Sequence, residues 1–485
     1  MLLKHAFAYA LARGLPGLSA FAALAVYTRL LAPDQFGRYA LLIAGVGLAN
    51  AIIFQWLRLV AARFLQTHAS PDEFLGCILA QFYMLAACVG GAGIVLSLAW
   101  PDPVWQRLLA LAVPLLVTQA GLELSLVISS ARLEPGGYGL MLGSKAAIGL
   151  ALGGWLAWLG FGALGPIWGL IAGQSFALIV FYRRIWGGSR MHWPPSEDLR
   201  RYLRYGMPLI ATFTLAWVIA ASDRILLALL MDDNAVGLYS PGYDLAFQSL
   251  TLALTIINTA AYPLAVQALA RGGPQAACRQ LKHNGELVAS AALVGCTALI
   301  VMAPSIVPLL IGEVFRSTTL QFLPIVAVAA ALAGIKAYHF DTAFHLGEKS
   351  FALVYLSSVA AVVNIGLNLV LIPRLGVIGA AWGTLGAYTA ALILSAIVAK
   401  RVFPMPPIAP LFLKSVAAAL LVTIAISFPA AIGVSKTYHL PAALVLGAVA
   451  AFFAAAVLDI SDARSAILRN MRRAQERLKA AYSGK

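Results

Sequence analysis

Apolar runs of roughly 20 residues, parted by short polar gaps, follow one another along almost the whole chain. A run of that length crosses a hydrocarbon core about 30 Å thick as a helix. The pattern predicts spans over 8–31, 38–62, 74–99, 105–129, 138–160 and 163–185, then 206–231, 237–262, 285–311, 319–346, 350–372, 376–399, 410–432 and 438–458. That is about fourteen helices. Backbone groups in lipid must be satisfied within their own segment, which favours helices. Barrel strands would alternate with period 2 over roughly ten residues, and no such alternation occurs. The expected fold class is an all-α polytopic membrane protein.

The longest polar break runs from Tyr182 to Gly206 and carries Arg183, Arg184, Arg190, Arg200, Arg201 and Arg204 against Glu197 and Asp198. It divides the chain into a six-helix lobe (1–185), a basic connector (186–205), a second six-helix lobe (206–402), two extra spans (403–459) and a basic tail (460–485). Ser196 is placed to cap an amphipathic helix whose Leu199, Tyr202 and Leu203 form an apolar stripe beside Arg200, Arg201 and Arg204. The tail from Asp462 to Lys479 sets Ile467, Leu468, Met471 and Leu478 among six basic residues. Both read as helices lying on anionic lipid at the cytoplasmic surface, the tail with docking to assembly machinery such as a polymerase as a second reading.

Composition agrees with this picture. Of 485 residues, 61% are hydrophobic and 11% charged, with mean hydropathy +0.87, where soluble chains run near a quarter charged. The net charge of +15 does not point to nucleic acid, because Lys and Arg sit in the gaps between spans, where topology rules put them. The same bias sets both termini in the cytoplasm, with loops such as Met231 to Val236 outside, as for a bacterial inner membrane. The N-terminal run is too long for a signal peptide and lacks a small-residue cleavage site, so it reads as span 1. Cys77, Cys88, Cys278 and Cys296 lack metal-ligand spacing and imply no disulfide framework.

The two halves repeat. Thr28 to Tyr39 reads TRLLAPDQFGRY and Asp223 to Tyr239 reads DRILLALLMDDNAVGLY; each runs from an Arg, through a turn with Asp34 or Asp233, to Gly-x-Tyr. Gly162 to Gly169 reads GALGPIWG and Gly376 to Gly383 reads GVIGAAWG. Gly162, Gly165, Gly376 and Gly379 let neighbouring backbones approach closely. Six spans per half predict lobes related by a pseudo-two-fold axis along the membrane normal.

The segments TRLLAPDQFGRYAL, DRILLALLMDDNAVGLYSPGY and NIGLNLVLIPRLGVIGAAWGT resemble signature stretches of bacterial polysaccharide flippases, a branch of the multidrug/oligosaccharidyl-lipid/polysaccharide exporter superfamily. The resemblance spans helices 1 to 12. It implies an undecaprenyl-pyrophosphate-linked oligosaccharide as substrate, moved by alternating access for cell-surface polysaccharide (O-antigen, capsule or exopolysaccharide), and a cationic central cavity suited to a diphosphate.

Charges at membrane depth are costly and mark candidate sites. Arg224 and Asp244 lie at one level on neighbouring spans, with Asp223 beside them, so an ion pair is expected. Glu123 and Lys145 are expected to pair likewise. Arg13 on span 1 and Lys336 on span 10 lack such partners, since Asp341 on the same α-helix points about 140° away from Lys336. Arg13, Lys336, Arg224 and Lys145 are therefore the candidate diphosphate and sugar site. Asp223, Asp244, Glu123, Asp341, His345 and Arg29 are the candidate gating or coupling residues. Asp341 and His345, at i and i+4, would share a helix face. Asn364 and Asn368 are expected to hydrogen-bond between helices. Arg29 and Arg38 flank the first outside turn.

No catalytic constellation, P-loop or metal spacing occurs, so neither a cofactor nor a metal is expected. A flippase is the leading reading. A multidrug or metabolite cation antiporter of the same superfamily is the alternative, and it would favour a membrane carboxylate in the first lobe. A membrane ligase or polymerase would need a large outside loop, and the outside gaps are short.

Overall fold

The computed structural model describes residues 17–462 apart from Ala69, Ser350, Val434 and Ser435. Arg13 and the tail beyond Asp462 lie outside the described residues. Among those described, every regular element is helical. In order they are α1 (Gly17–Leu30), α2 (Pro33–Ile53), α3 (Gln55–Phe64), α4 (Pro71–Ala99), α5 (Pro103–Ala131), α6 (Pro135–Leu156) and α7 (Leu164–Trp186). There follow α8 (Ser196–Leu230), α9 (Asp233–Leu310), α10 (Glu313–Ile335), α11 (Asp341–Leu346), α12 (Phe351–Leu375), α13 (Val377–Val402), α14 (Ile408–Ala431) and α15 (Lys436–Val457). Short π-helical turns cover Ala157–Phe161 and Lys336–Phe340.

The sequence explains where the helices start. Pro33, Pro71, Pro103 and Pro135 each open one, at the position where a missing N–H costs nothing and φ is already helical. Twelve described helices are long and apolar enough to cross a membrane. One of them, α9, has 78 residues, about 117 Å if straight, far more than a bilayer. It folds back at Gly273, where φ is 69° and ψ −168°. Asn284 Nδ2 then donates to Ala261 O at 2.8 Å, and Gly295 faces the Leu250 side chain. This helix thus makes two crossings. The chain is a multi-pass, all-α membrane protein of the expected class.

The internal repeat has a structural counterpart. Gly162 and Gly376 open the two G-x-x-G-x-x-W-G copies with φ of 55° and 59°, a region L side chains disfavour. A Cβ on Gly165 would meet the Ala157 backbone, and one on Gly379 would strike the Leu371 carbonyl. Trp168 and Trp382 are exposed alike. The Asp turns match as well. A Cβ on Gly37 would strike the Asp233 carbonyl, and one on Gly237 the Pro33 carbonyl. That reciprocity is what an approximate two-fold between Gly37 and Gly237 produces.

Two compact units make up the chain. The first comprises Met1–Pro241, Leu310–Thr319 and Asn364–Gly383; the second comprises Gly242–Leu309, Leu320–Val363 and Thr384–Lys485. In the first, an apolar core of Phe54, Leu57, Phe74, Ile78, Leu108 and Leu115 ties α2 through α5 together. Glycines pack α6 against α7: Cβ atoms on Gly169 and Gly173 would collide with the α6 backbone at Gly149, Gly153 and Lys145.

The amphipathic connector helix departs from expectation. It is not a separate surface helix but the first turns of α8, which runs unbroken to Leu230. Ser196 does not cap it; the N-cap residue is Pro195, without a side-chain bond. Of the apolar stripe, Tyr202 packs on protein, and Leu199 and Leu203 are half-buried. Tyr202 is 2% exposed, its ring 5.5 Å from Phe64 and 5.7 Å from Phe74. Burial pushes its phenol up to about 12. Aromatic side chains at the ends of α3 and α4 supply a nearby apolar partner that the sequence alone could not place. Arg201 lies over the Phe64 ring at 4.8 Å, while Arg200 and Arg204 are exposed.

Candidate functional site

Three polar clusters interrupt the apolar spans. The first is built on Asp223 of α8, whose side chain is 0% exposed. A buried carboxylate survives only if its lone pairs are used. Here Tyr239 Oη donates at 2.8 Å, Asn368 Nδ2 at 2.6 Å and Asn364 Nδ2 at 3.1 Å. Asn364 and Asn368 stand one turn apart on α12, so both reach the same carboxylate, which is the interhelical bonding their spacing predicts. Ser222 Oγ donates to Asn364 Oδ1 at 2.5 Å. Gly383, the last residue of the repeated motif, makes room for Asn368, whose Oδ1 a Cβ there would strike. That Oδ1 is buried without a hydrogen-bond partner among the described residues. Two amide donors and one hydroxyl thus converge on a single carboxylate. Arg224, beside it, is 9% exposed and belongs to the first unit, whereas Asp244 is partly buried in the second.

The second cluster corrects an expectation. Glu123 of α5 does not pair with Lys145. It forms an ion pair with Arg58 of α3, and also accepts from Asn50 Nδ2 at 2.9 Å and Gln119 Nε2 at 3.1 Å. Gln55 also bonds Arg58. The break between α2 and α3 at Phe54 turns Arg58 toward α5. Depth along the chain had matched Glu123 with Lys145, but depth says nothing about which way a helix face points. Lys145, half-buried on α6, has no ion pair or hydrogen bond among the described residues. Arg58 is the functional candidate that the sequence reading missed. Its signal was a cation within the predicted span 38–62.

The third cluster, in the second unit, is a further correction. Lys336 is not an unpaired cation: its Nζ lies 2.7 Å from Asp341 Oδ2. The reason is the π-turn over Lys336–Phe340. Its wider i→i+5 winding brings residue i+5 round to the face that an α-helix would turn away. Ser395 Oγ donates to the other Asp341 oxygen at 3.0 Å. Both charged side chains are largely buried, at 12% and 14% exposure. His345, exposed one turn on, meets the Tyr262 ring edge-on at 6.3 Å and takes no part in the pair.

At the repeat turns, Arg38 Nε donates to Asp233 at 2.9 Å, with Asp34 at 3.5 Å from the same guanidinium. Arg29 donates to Ala25 O at 2.6 Å, and Thr28 Oγ1 accepts from Gly312 N at 2.9 Å. The first repeat turn is thereby bonded directly to the second. The residues brought together are thus Asp223 with Asn364 and Asn368, Glu123 with Arg58, and Lys336 with Asp341. No group of three metal-ligating side chains occurs among the described residues.

A family model described as "Polysaccharide biosynthesis protein" matches residues 142–320. No curated protein matches the sequence. Among solved structures, a lipid II flippase, MurJ, in an inward closed conformation is similar over 94% of this chain and 98% of its own, at TM-score 0.76 and 12% identity. An inward-facing multidrug resistance MATE family transporter of the MOP superfamily is similar over 81% and 97%, at TM-score 0.62 and 14% identity. A MOP superfamily transporter from Pyrococcus furiosus is similar over 82% and 95%, at TM-score 0.54 and 14% identity.

The fold is thus one shared with solved membrane transporters. The chain's fold is that of solved transporters of the multidrug/oligosaccharidyl-lipid/polysaccharide exporter superfamily, and over residues 142–320 its sequence is similar to a polysaccharide biosynthesis family.

Proposed function

We propose that the chain is a flippase that carries an undecaprenyl-pyrophosphate-linked oligosaccharide across the bacterial inner membrane for assembly of a cell-surface polysaccharide. The observation that carries this reading is a lipid-flippase fold with a cation, Lys145, that sits within a predicted span and has no ion pair or hydrogen bond among the described residues. A cation held in a dry site favours an anion as its cargo. In this reading Arg58, Lys145, Lys336, Arg224 and Arg13 receive the diphosphate while the prenyl chain stays in lipid. Asp223 and its asparagines, with Asp244, serve coupling. The Arg38–Asp233 contact, with Arg29, serves as the outer gate, and the two six-helix lobes rock about it with both termini cytoplasmic. Oligosaccharide polymerase and anionic lipid are its natural partners at the two surfaces.

The antiporter reading has one observation in its favour, the shared fold of multidrug transporters. It would need an available carboxylate in the first lobe, and Glu123 is already neutralised by Arg58.

Sealed inverted vesicles loaded with radiolabelled undecaprenyl-pyrophosphate oligosaccharide test the proposal. Protection of the sugar from an external modifying enzyme by the wild-type chain, lost in Arg58→Ala and Arg13→Ala at normal abundance, is the expected result. Absence of protection by the wild-type chain, with the lipid donor shown to be competent, would move the antiporter to the front.

A further inference from the structure

The first unit carries an apolar groove of about 610 Å³ between α2, α4, α5 and α8. Small side chains make it: a Cβ added to Gly45 on its wall would meet nothing within 4 Å. Its lining runs from Leu41 to Ile53 on α2, from Val89 to Trp100 on α4 and from Trp105 to Leu116 on α5. At 1.5 Å per residue, each stretch is about 17–18 Å long, close to one leaflet of a hydrocarbon core about 30 Å thick. Trp100 and Trp105 flank the turn joining α4 to α5, where aromatic side chains mark a membrane interface. Water gains nothing in an apolar space of this kind; hydrocarbon from the surrounding leaflet does.

Charge at the mouth narrows the occupant. Asp233 lines the groove. Arg38, one turn before Leu41 and Leu42 on α2, binds Asp233 and Asp34, and Asp34 remains 44% exposed. Two carboxylates around one guanidinium disfavour an anionic headgroup, while the mixed signs suit a zwitterion. An ammonium bearing N–H groups can donate to Asp34, and a quaternary ammonium cannot.

We propose that this groove holds an acyl chain of a phospholipid with a primary-ammonium headgroup, its ammonium toward Asp34 and its phosphate toward Arg38. Such a lipid is distinct from the transported cargo. It wedges between α2 and α8, the helices that lead into the Arg38–Asp233 contact, and so biases that contact from the lipid side.

The test is photolabelling of the full chain in nanodiscs with phosphatidylethanolamine bearing a diazirine near its chain end. Labelling of peptides covering residues 89–116 is expected to exceed that at lipid-facing Leu413 and Phe452 at least fivefold. Filling the groove by Gly45→Leu, or by Gly45→Phe with Ala112→Phe, lowers it at least fivefold while a melting curve reports retained folding. Unlabelled phosphatidylethanolamine competes better than phosphatidylcholine or phosphatidylglycerol, and Asp34→Asn erases that preference. Labelling equal to the lipid-facing controls, indifference to groove filling, or equal competition by all three headgroups would overturn the proposal. So would preferential labelling by a polyprenyl-phosphate probe that phospholipid fails to displace.

Discussion

Lys336 and Asp341 meet at 2.7 Å across a π-turn, although an α-helix would set the two about 140° apart. The salt bridge and the wide turn therefore depend on one another. Loss of the bridge leaves an uncompensated charge, and relaxation of the turn to α geometry pulls the bridge apart. A single-residue insertion held in place by an ion pair is a two-position element, and either an anion at Lys336 or a proton at Asp341 would bias it.

Deleting Ala337 tests this dependence. The helix then closes to α geometry, Lys336 and the following acid become i, i+4 neighbours, and the ion pair survives. The shortened chain is expected to purify as a folded protein with a melting temperature within a few degrees of wild type, yet to transport poorly. Deleting Ala331, buried in regular helix, rotates everything after it and should prevent folding. Equal damage from both deletions would sever the link between turn and bridge.

Arg58 and Glu123 form a partly buried pair in the first unit, at 16% and 29% exposure. Removing one partner of a fully buried pair costs about 3–5 kcal/mol, less for a pair this open to its surroundings, while removing both costs far less. Arg58→Ala and Glu123→Ala should each lower the melting temperature more than Arg58→Leu combined with Glu123→Leu. Transport separates structure from function here. The double variant should fold well and still fail to protect the lipid-linked sugar.

Asp223 is expected to be more sensitive than its position near a helix end suggests. Asp223→Ala strands the Tyr239 hydroxyl and the Asn364 and Asn368 amides in a buried site, at about 1–3 kcal/mol per orphaned group. A drop in thermal stability should accompany loss of any dependence of transport on a sodium or proton gradient. If gradient dependence persisted in a folded Asp223→Ala chain, the coupling role would pass elsewhere.

The Arg38–Asp233 contact is partly exposed, at 27% and 23%, so its worth to stability should be small, about 1 kcal/mol or less. Its effect on transport should be larger. Charge reversal at either residue is expected to reduce transport several-fold, and the combined Arg38→Asp, Asp233→Arg exchange to restore much of it. Gly37→Val, which would press into the Asp233 carbonyl, should force the two repeat turns apart and alter alkylation of cysteines introduced beside them.

Much of this protein is legible in one dimension. Lipid is a solvent that backbone groups cannot use, so runs of apolar residues had to be helices, and their lengths and basic gaps followed. Gly162, Gly165, Gly376 and Gly379 could be read as a repeat because duplicated backbone geometry demands the same residue twice. Asn364 and Asn368 could be read as interhelical donors because they sit one turn apart on an apolar helix. What only the tertiary structure decided is which charge meets which. Hydropathy gives a residue's depth, but ion pairing at short range depends on azimuth, on helix neighbours and on departures from α geometry. The break at Phe54 gave Glu123 to Arg58 instead of Lys145. The π-turn gave Asp341 to Lys336, and the aromatic rings of α3 and α4 gave Tyr202 a protein partner in place of lipid. A kink or an extra residue in a turn changes hydropathy hardly at all, yet it rotates every side chain that follows.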